Sequence, residues 1–144
     1  MIEVFGDLWE ARQPGDWVCI TINSFIRSDG RLVMGRGIAL EALSRYPHIQ
    51  ATLGLLIEEH GSRLEVLDND RLIAFPVKKH FKDKAELQII LRSTLQLLEA
   101  APRLTGGRIL MPRPGAGFGR LDWAEVRPMI AHYLKDDRFV VFHK

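Results

Sequence analysis

The segment Arg108-Ile109-Leu110-Met111-Pro112-Arg113-Pro114-Gly115-Ala116-Gly117-Phe118-Gly119-Arg120-Leu121-Asp122-Trp123 decides the fold. It opens as an apolar strand, passes through a loop with three glycines alternating over five residues, and enters a helix. Asp122 and Glu125 mark the helix start at capping-box spacing, with aspartate in place of the usual serine or threonine. Val126, Met129, Ile130, Tyr133 and Leu134 then supply an apolar stripe, and Pro128 inside it should kink or restart the helix. A strand feeding a glycine loop and then a helix is a building unit of α/β sheets. Ligands of such sheets bind beyond the carboxyl ends of the strands, in the loops that lead into helices.

Working outward, the same alternation recurs. Arg138 to Phe142 reads as a final strand. Upstream, Leu87, Ile90, Leu91, Leu95 and Leu98 form an apolar stripe on the clearest helix, which follows Asp83 and is closed by Pro102 and Gly106-Gly107. Leu64 to Leu67 and Arg71 to Phe75 are short strand patterns around Asn69-Asp70, a hairpin-like pair. Gly35-Arg36-Gly37 opens a helix with Ile38, Leu40, Ala42, Leu43 and Tyr46 at its apolar positions, closed by Pro47. Another helix runs from about Pro47 to Glu59. Trp17 to Asn23 reads as a buried strand and Ile2 to Phe5 as a short first one. The pattern predicts an α/β fold whose sheet is covered by helices on both faces.

Bulk properties narrow the class. The chain has 144 residues, 47% hydrophobic and 26% charged, which excludes global disorder and matches one domain over residues 1–144. No apolar run approaches the roughly 20 residues of a membrane span. The N-terminus has an early acid and no basic region, unlike a signal peptide. The single cysteine, Cys19, forms no intrachain disulfide and suits a reducing, cytoplasmic setting. A formal charge of +2 does not describe a nucleic-acid-coating surface, although it allows a local basic patch.

Candidate chemistry concentrates in two glycine loops. In Val33-Met34-Gly35-Arg36-Gly37-Ile38-Ala39 the backbone can approach a ligand closely, and free amides at the helix start favour a phosphate. No Gly-Lys-Ser/Thr follows, so it is not a P-loop. The same glycines also suit a tight turn with close helix packing. The second loop, Pro112 to Trp123, suits a backbone nest around a diphosphate or an ordinary flexible connection. Asp7, directly after the first strand, can accept from an exocyclic amine or simply cap a turn. Asn23 can bind a hydroxyl or form a turn. Phe75-Pro76-Val77-Lys78-Lys79-His80-Phe81-Lys82-Asp83-Lys84 is basic and partly aromatic. It offers a lysine nucleophile near a desolvated pocket, a nucleic-acid contact with a stacking ring, or a solvated basic loop. The histidines show no metal-ligand spacing, and no serine-nucleophile signature is present. No metal and no cofactor are assigned, and Cys19 in a core strand reads as inert.

Taken together, Gly6-Asp7-Leu8, Asn23, Met34 to Ala39, Phe75 to Phe81 and Pro112 to Trp123 resemble the macrodomain family in order and spacing, over almost the whole chain. The resemblance implies a three-layer α/β/α fold with a central mixed, mostly parallel sheet, and binding of ADP-ribose. Met34-Gly35-Arg36-Gly37-Ile38-Ala39 and the lysine after the fourth strand are similar to a subgroup of glycohydrolases. It includes enzymes that remove terminal ADP-ribose from protein and antitoxin macrodomains that remove it from DNA bases. Phe75 to Phe81 and Gly119-Arg120-Leu121-Asp122-Trp123 look closest to the antitoxins.

The resemblance then implies roles. Asp7 would accept from the adenine amine with the Leu8 backbone beside it, and Phe142 would stack on adenine. Met34, Gly35, Gly37 and Ile38 would line the diphosphate and distal ribose, which Asn23 would also reach. Gly115, Ala116, Gly117, Phe118 and Gly119 would form the second phosphate loop. Lys78 would be the catalytic nucleophile, or Lys79 if the register differs by one. The protein-directed glycohydrolase has an aspartate where this chain has Gly119, and the antitoxins share the glycine. Asp122, nearby in sequence, reads first as a helix cap.

The expected activity is therefore removal of mono-ADP-ribose from DNA, or from protein, with Lys79, His80 and Phe81 available to single-stranded DNA. A non-catalytic ADP-ribose reader and an ADP-ribose 1″-phosphate phosphatase are the alternatives. No membrane partner is expected. A toxin partner is a further implication, but the antitoxins carry a C-terminal segment and this sequence ends directly after its last strand, which leaves an enzymatic or housekeeping role open.

Overall fold

A computed structural model describes residues 1–144. Six strands form one sheet: β1 (Ile2–Phe5), β2 (Trp17–Ile22), β3 (Glu65–Leu67), β4 (Leu72–Pro76), β5 (Ile109–Pro112) and β6 (Phe139–His143). Their spatial order is β1-β6-β5-β2-β4-β3. All neighbours run parallel except the edge pair β3–β4, which is the expected antiparallel hairpin. The helices are α1 (Leu8–Ala11), α2 (Gly37–Arg45), α3 (Ile49–His60), α4 (Leu87–Ala100) and α5 (Trp123–Tyr133).

Strand periodicity builds two cores. Successive side chains point to opposite faces of a sheet. Val18, Ile20 and Ile22 of β2 accordingly join Leu110, Val140 and Phe142 on the face covered by Leu8, Ala39, Ala42, Ile49, Leu53 and Ile57. Cys19 joins Ile73, Phe75, Met111 and Val141 on the other face, covered by Ile90, Leu97, Val126, Ile130 and Leu134. This is the three-layer α/β/α arrangement with a mixed, mostly parallel sheet. No helix is long and apolar enough to cross a membrane.

Two helix readings need correction. The buried face of α4 is Ile89, Ile90, Ser93, Thr94, Leu97 and Ala100. Leu87, Leu95 and Leu98, expected in the core stripe, are exposed. The hydroxyls explain it: Ser93 Oγ donates to the Pro76 carbonyl at 2.6 Å and Thr94 Oγ1 to that of Ile90 at 2.8 Å. With their polar groups satisfied, both can sit in the core. Pro128 does not restart α5, which runs unbroken from Trp123 to Tyr133. Its missing N–H leaves the Ala124 carbonyl without an i+4 donor, but both residues are exposed and water can supply one.

Candidate functional site

Parallel strands deliver their carboxyl ends to one side of the sheet. There the following loops enclose a cavity of about 1020 Å³. Its size sits at the upper end of the roughly 300–1,000 Å³ of small-molecule sites. Apart from Lys79, the alternative nucleophile, every residue assigned above to catalysis or ADP-ribose binding lines it: Asp7, Leu8, Asn23, Met34, Gly35, Gly37, Ile38, Lys78, Gly115, Ala116, Gly117, Phe118, Gly119 and Phe142. They come from after β1, β2, β4 and β5, from the start of α2, and from β6.

Asp7 caps α1, its Oδ1 accepting from the Trp9 amide at 2.8 Å and the Glu10 amide at 3.4 Å. Its other oxygen, Oδ2, meets Lys144 Nζ at 3.2 Å. Partial burial pushes the carboxyl up, but the Trp9 and Lys144 hydrogen bonds outweigh it and hold it below its usual range. Capping uses Oδ1, and Oδ2 keeps acceptor capacity beside its Lys144 contact, so the cap leaves room for an amine. Asn23 is buried, and its amide donates to the Val33 carbonyl at 2.9 Å while its oxygen accepts from the Phe25 amide at 2.8 Å. One amide hydrogen and one lone pair remain for a ligand hydroxyl.

The two glycine loops face each other. Gly37 opens α2 at φ +58°, and a Cβ there would come within 3.3 Å of the Phe118 ring. The Arg36 guanidinium lies over the same ring, 5.5 Å from its centroid. No side chain caps α2, so its first amides are available at the cavity wall. In the second loop Gly117–Gly119 form a 3-10 turn, ended by Arg120 in the left-handed region. Arg120 donates to the Lys82 carbonyl at 3.0 Å, and the Ala85 amide donates to that of Gly119 at 2.9 Å. These bonds tie the second glycine loop to the lysine loop.

Lys78 lies two residues beyond β4 and lines the cavity, with Nζ 3.4 Å from the Phe118 carbonyl. Desolvation lowers its pKa, the positive charges of Arg120 and Arg36 add to this, and Asp83 opposes them. An amine held below the ordinary lysine range has more of its nucleophilic neutral form. Lys79 is exposed and outside the lining, and its carbonyl accepts from the Ser24 amide at 2.8 Å. Asp122 also lies outside the lining and caps α5 through the Ala124 amide. Cys19 is wholly buried in β2, and that burial pushes its thiol pKa up.

The cavity also gathers residues outside the roles the resemblance implies, among them Arg113 and Arg120, which the sequence offers either as phosphate partners or as exposed arginines. Arg113 lines it, stacked 5.0 Å from Trp123, with a buried Nε that has no hydrogen-bond partner. Such a donor is uncommon in a folded protein and fits a ligand acceptor. Its position directly after a strand, beside the glycine loop, was the available signal. Arg36, Glu41, Arg120, His143 and Lys144 also line the wall. No group of three or more His, Cys, Asp or Glu side chains converges as a metal site.

Comparison with known proteins adds relatives. No family model matches the chain. The DNA ADP-ribosyl glycohydrolase of Mycobacterium tuberculosis is 30% identical over 105 residues, which cover 65% of this chain and 29% of that protein. A DNA ADP-ribosyl transferase-DNA ADP-ribosyl glycohydrolase fusion protein of Thermosipho africanus is 23% identical over 126 residues, covering 71% of this chain and 32% of that protein. The match thus spans about three tenths of each curated relative's length. Among solved structures, the macrodomain of Thermus aquaticus DarG superposes with a TM-score of 0.82 at 26% identity, over 99% of this chain and 97% of that one.

Proposed function

We propose that this chain, a macrodomain similar to that of DarG, is an ADP-ribosyl glycohydrolase acting on mono-ADP-ribosylated DNA. The carrying observation is that a lysine with a lowered pKa and two glycine loops share one cavity at the carboxyl ends of the strands. The loop amides bind the diphosphate, Asp7 accepts from the adenine amine, Phe142 packs on adenine and Asn23 reaches the distal ribose. This pose sets C1″ of that ribose against Lys78 and fixes the attack geometry. The Nζ lone pair forms a bond to C1″ as the bond to the modified base breaks. The base leaves with the electron pair of the broken C1″–base bond and takes up a proton. Water then replaces the lysine at C1″ and frees ADP-ribose.

The names of the relatives support DNA as the substrate, and exposed Lys79 and Phe81, with half-buried His80 between them, supply a contact for single-stranded DNA. The fusion relative supports a partnership with a DNA ADP-ribosyl transferase, and a cytoplasmic setting suits the lone cysteine. A reader that binds without cleaving is the second reading, favoured by Gly119, which puts no carboxylate opposite Lys78. The test is release of ADP-ribose from a modified single-stranded oligonucleotide and from a modified protein. Lys78→Ala is expected to abolish release from DNA, by at least about a hundredfold, while free ADP-ribose still binds. Normal turnover by that variant would refute the lysine mechanism, and binding without turnover by the wild type would establish the reader.

A further inference from the structure

Three aromatic rings cluster at the rim of the cavity, beside the lysine loop. His80 and Phe81 are stacked, with centroids 4.3 Å apart and planes 25° from parallel. Phe25, from the loop after β2, stands edge-on to both, 4.6 Å from His80 and 5.3 Å from Phe81. The backbone holds them in place. The Ser24 amide donates to the Lys79 carbonyl at 2.8 Å, joining the two loops, and the Phe25 amide donates to Asn23 Oδ1. The Asp83 amide donates to the His80 carbonyl at 3.0 Å, and the Lys82 amide to His80 Nδ1 at 3.1 Å. Despite this order, Phe25 and Phe81 remain 39% and 37% exposed.

The surroundings select the occupant. Lys79, Lys82 and Lys84 are exposed around the rings, and Lys82 Nζ lies 5.8 Å from the Phe81 centroid. Phe81 and Lys82 also line the cavity, as Lys78 does. Phe81 thus joins the ring cluster to the cavity wall that Lys78 and Lys82 share. Rings offer stacking to any nucleobase, and lysines offer charge to backbone phosphates. A modified carboxylate side chain on a protein has no flat π-face to stack.

We propose that Phe25, His80 and Phe81 form a stacking platform for the modified nucleobase or its neighbour in single-stranded DNA, with Lys79 and Lys82 on the flanking phosphates. This rests on the reading that the cavity holds ADP-ribose with C1″ at Lys78. The experiment measures binding in a Lys78→Ala background, so that no probe is consumed. The probes are free ADP-ribose, a single-stranded oligonucleotide carrying one ADP-ribosylated base, and an ADP-ribosylated peptide. The oligonucleotide should bind more tightly than free ADP-ribose. Adding Phe25→Leu and His80→Leu, both outside the cavity lining, should cut that advantage about tenfold. Affinities for free ADP-ribose and for the peptide should stay unchanged, which also certifies folding. An undiminished advantage, no advantage at all, or an equal loss for the peptide would each overturn the platform. Wild-type turnover is scored separately. A platform seen by binding, with no release by the wild type, would sink the hydrolase reading alone. Turnover with an undiminished advantage would sink the platform alone.

Discussion

Glycines in the two loops do different jobs, and the geometry separates them. A Cβ on Gly115 would lie 2.6 Å from Ile90 Cδ1 and 3.0 Å from Leu121 Cδ1, at a φ of +81°. The fold itself requires glycine there. A Cβ on Gly35 would meet nothing within 4 Å, so the fold makes no such demand and the open space belongs to the cavity. Gly115→Ala should therefore destabilise by about 1–3 kcal/mol, read from denaturant midpoints. Gly35→Val should shift stability by less than about 0.5 kcal/mol yet weaken ADP-ribose binding at least about tenfold, read by calorimetry. The reverse pattern would mean that the roles are misassigned. Gly119 is a third case, since a Cβ would sit 3.0 Å from that of Ala85. A side chain there needs Ala85 to give way, which is a physical reason for glycine rather than a carboxylate opposite Lys78.

Among the elements, α4 is the least legible in the sequence. Its leucines mark one face and its burial follows another, because Ser93 and Thr94 find acceptors inside the layer. Leu97 is fully buried and Leu95 is 43% exposed. Leu97→Ala should cost about 2–5 kcal/mol by loss of burial and creation of a cavity. Leu95→Ala should cost less than about 1 kcal/mol. Chemical denaturation of the two variants decides between the faces, and similar losses would restore the stripe expected from the sequence. Element type was readable for the longer elements, since alternation and helical spacing are local signals, but not for α1, whose four residues are too few to show a period. The rotation of a helix about its axis is set by the partner surface, which no local pattern contains.

At the scale of the molecule, the two ends of the sheet are built differently. The carboxyl ends carry the open cavity. At the amino ends Asp16 is buried before β2 and joins Arg108 before β5, with Oδ2 2.7 Å from Arg108 Nη2 and Oδ1 2.9 Å from its amide. Oδ2 also accepts from the Gln13 amide at 2.9 Å. Burial pushes the Asp16 carboxyl up, but these hydrogen bonds prevail and hold it below its ordinary value of 3.8. A depressed carboxylate stabilises fully above its unfolded pKa and loses that contribution as pH falls through the folded one. Asp16→Asn should cost roughly 2–3 kcal/mol at neutral pH, and the gap to wild type should narrow as the pH is lowered from about 4 towards 2. A gap independent of pH would remove the ionic part of this account.

The resemblance to the macrodomain family pointed to Lys78 as the candidate amine, whereas sequence pattern alone determined the α/β class, most of the strand and helix types and the two glycine loops. Each of these is written in neighbouring residues, through period, capping or turn chemistry. Tertiary structure decided which residues meet. Parallel pairing brings Asp7, Asn23, Lys78, Gly115 and Phe142, dispersed along the chain, to one cavity. It puts Arg113 Nε in that wall without a partner and sets Phe25 beside His80 and Phe81. The unpaired state of Arg113 Nε and the grouping of Phe25 with His80 and Phe81 cannot be read locally, because contacts between distant segments come from the closing of the sheet and not from the spacing of residues along it.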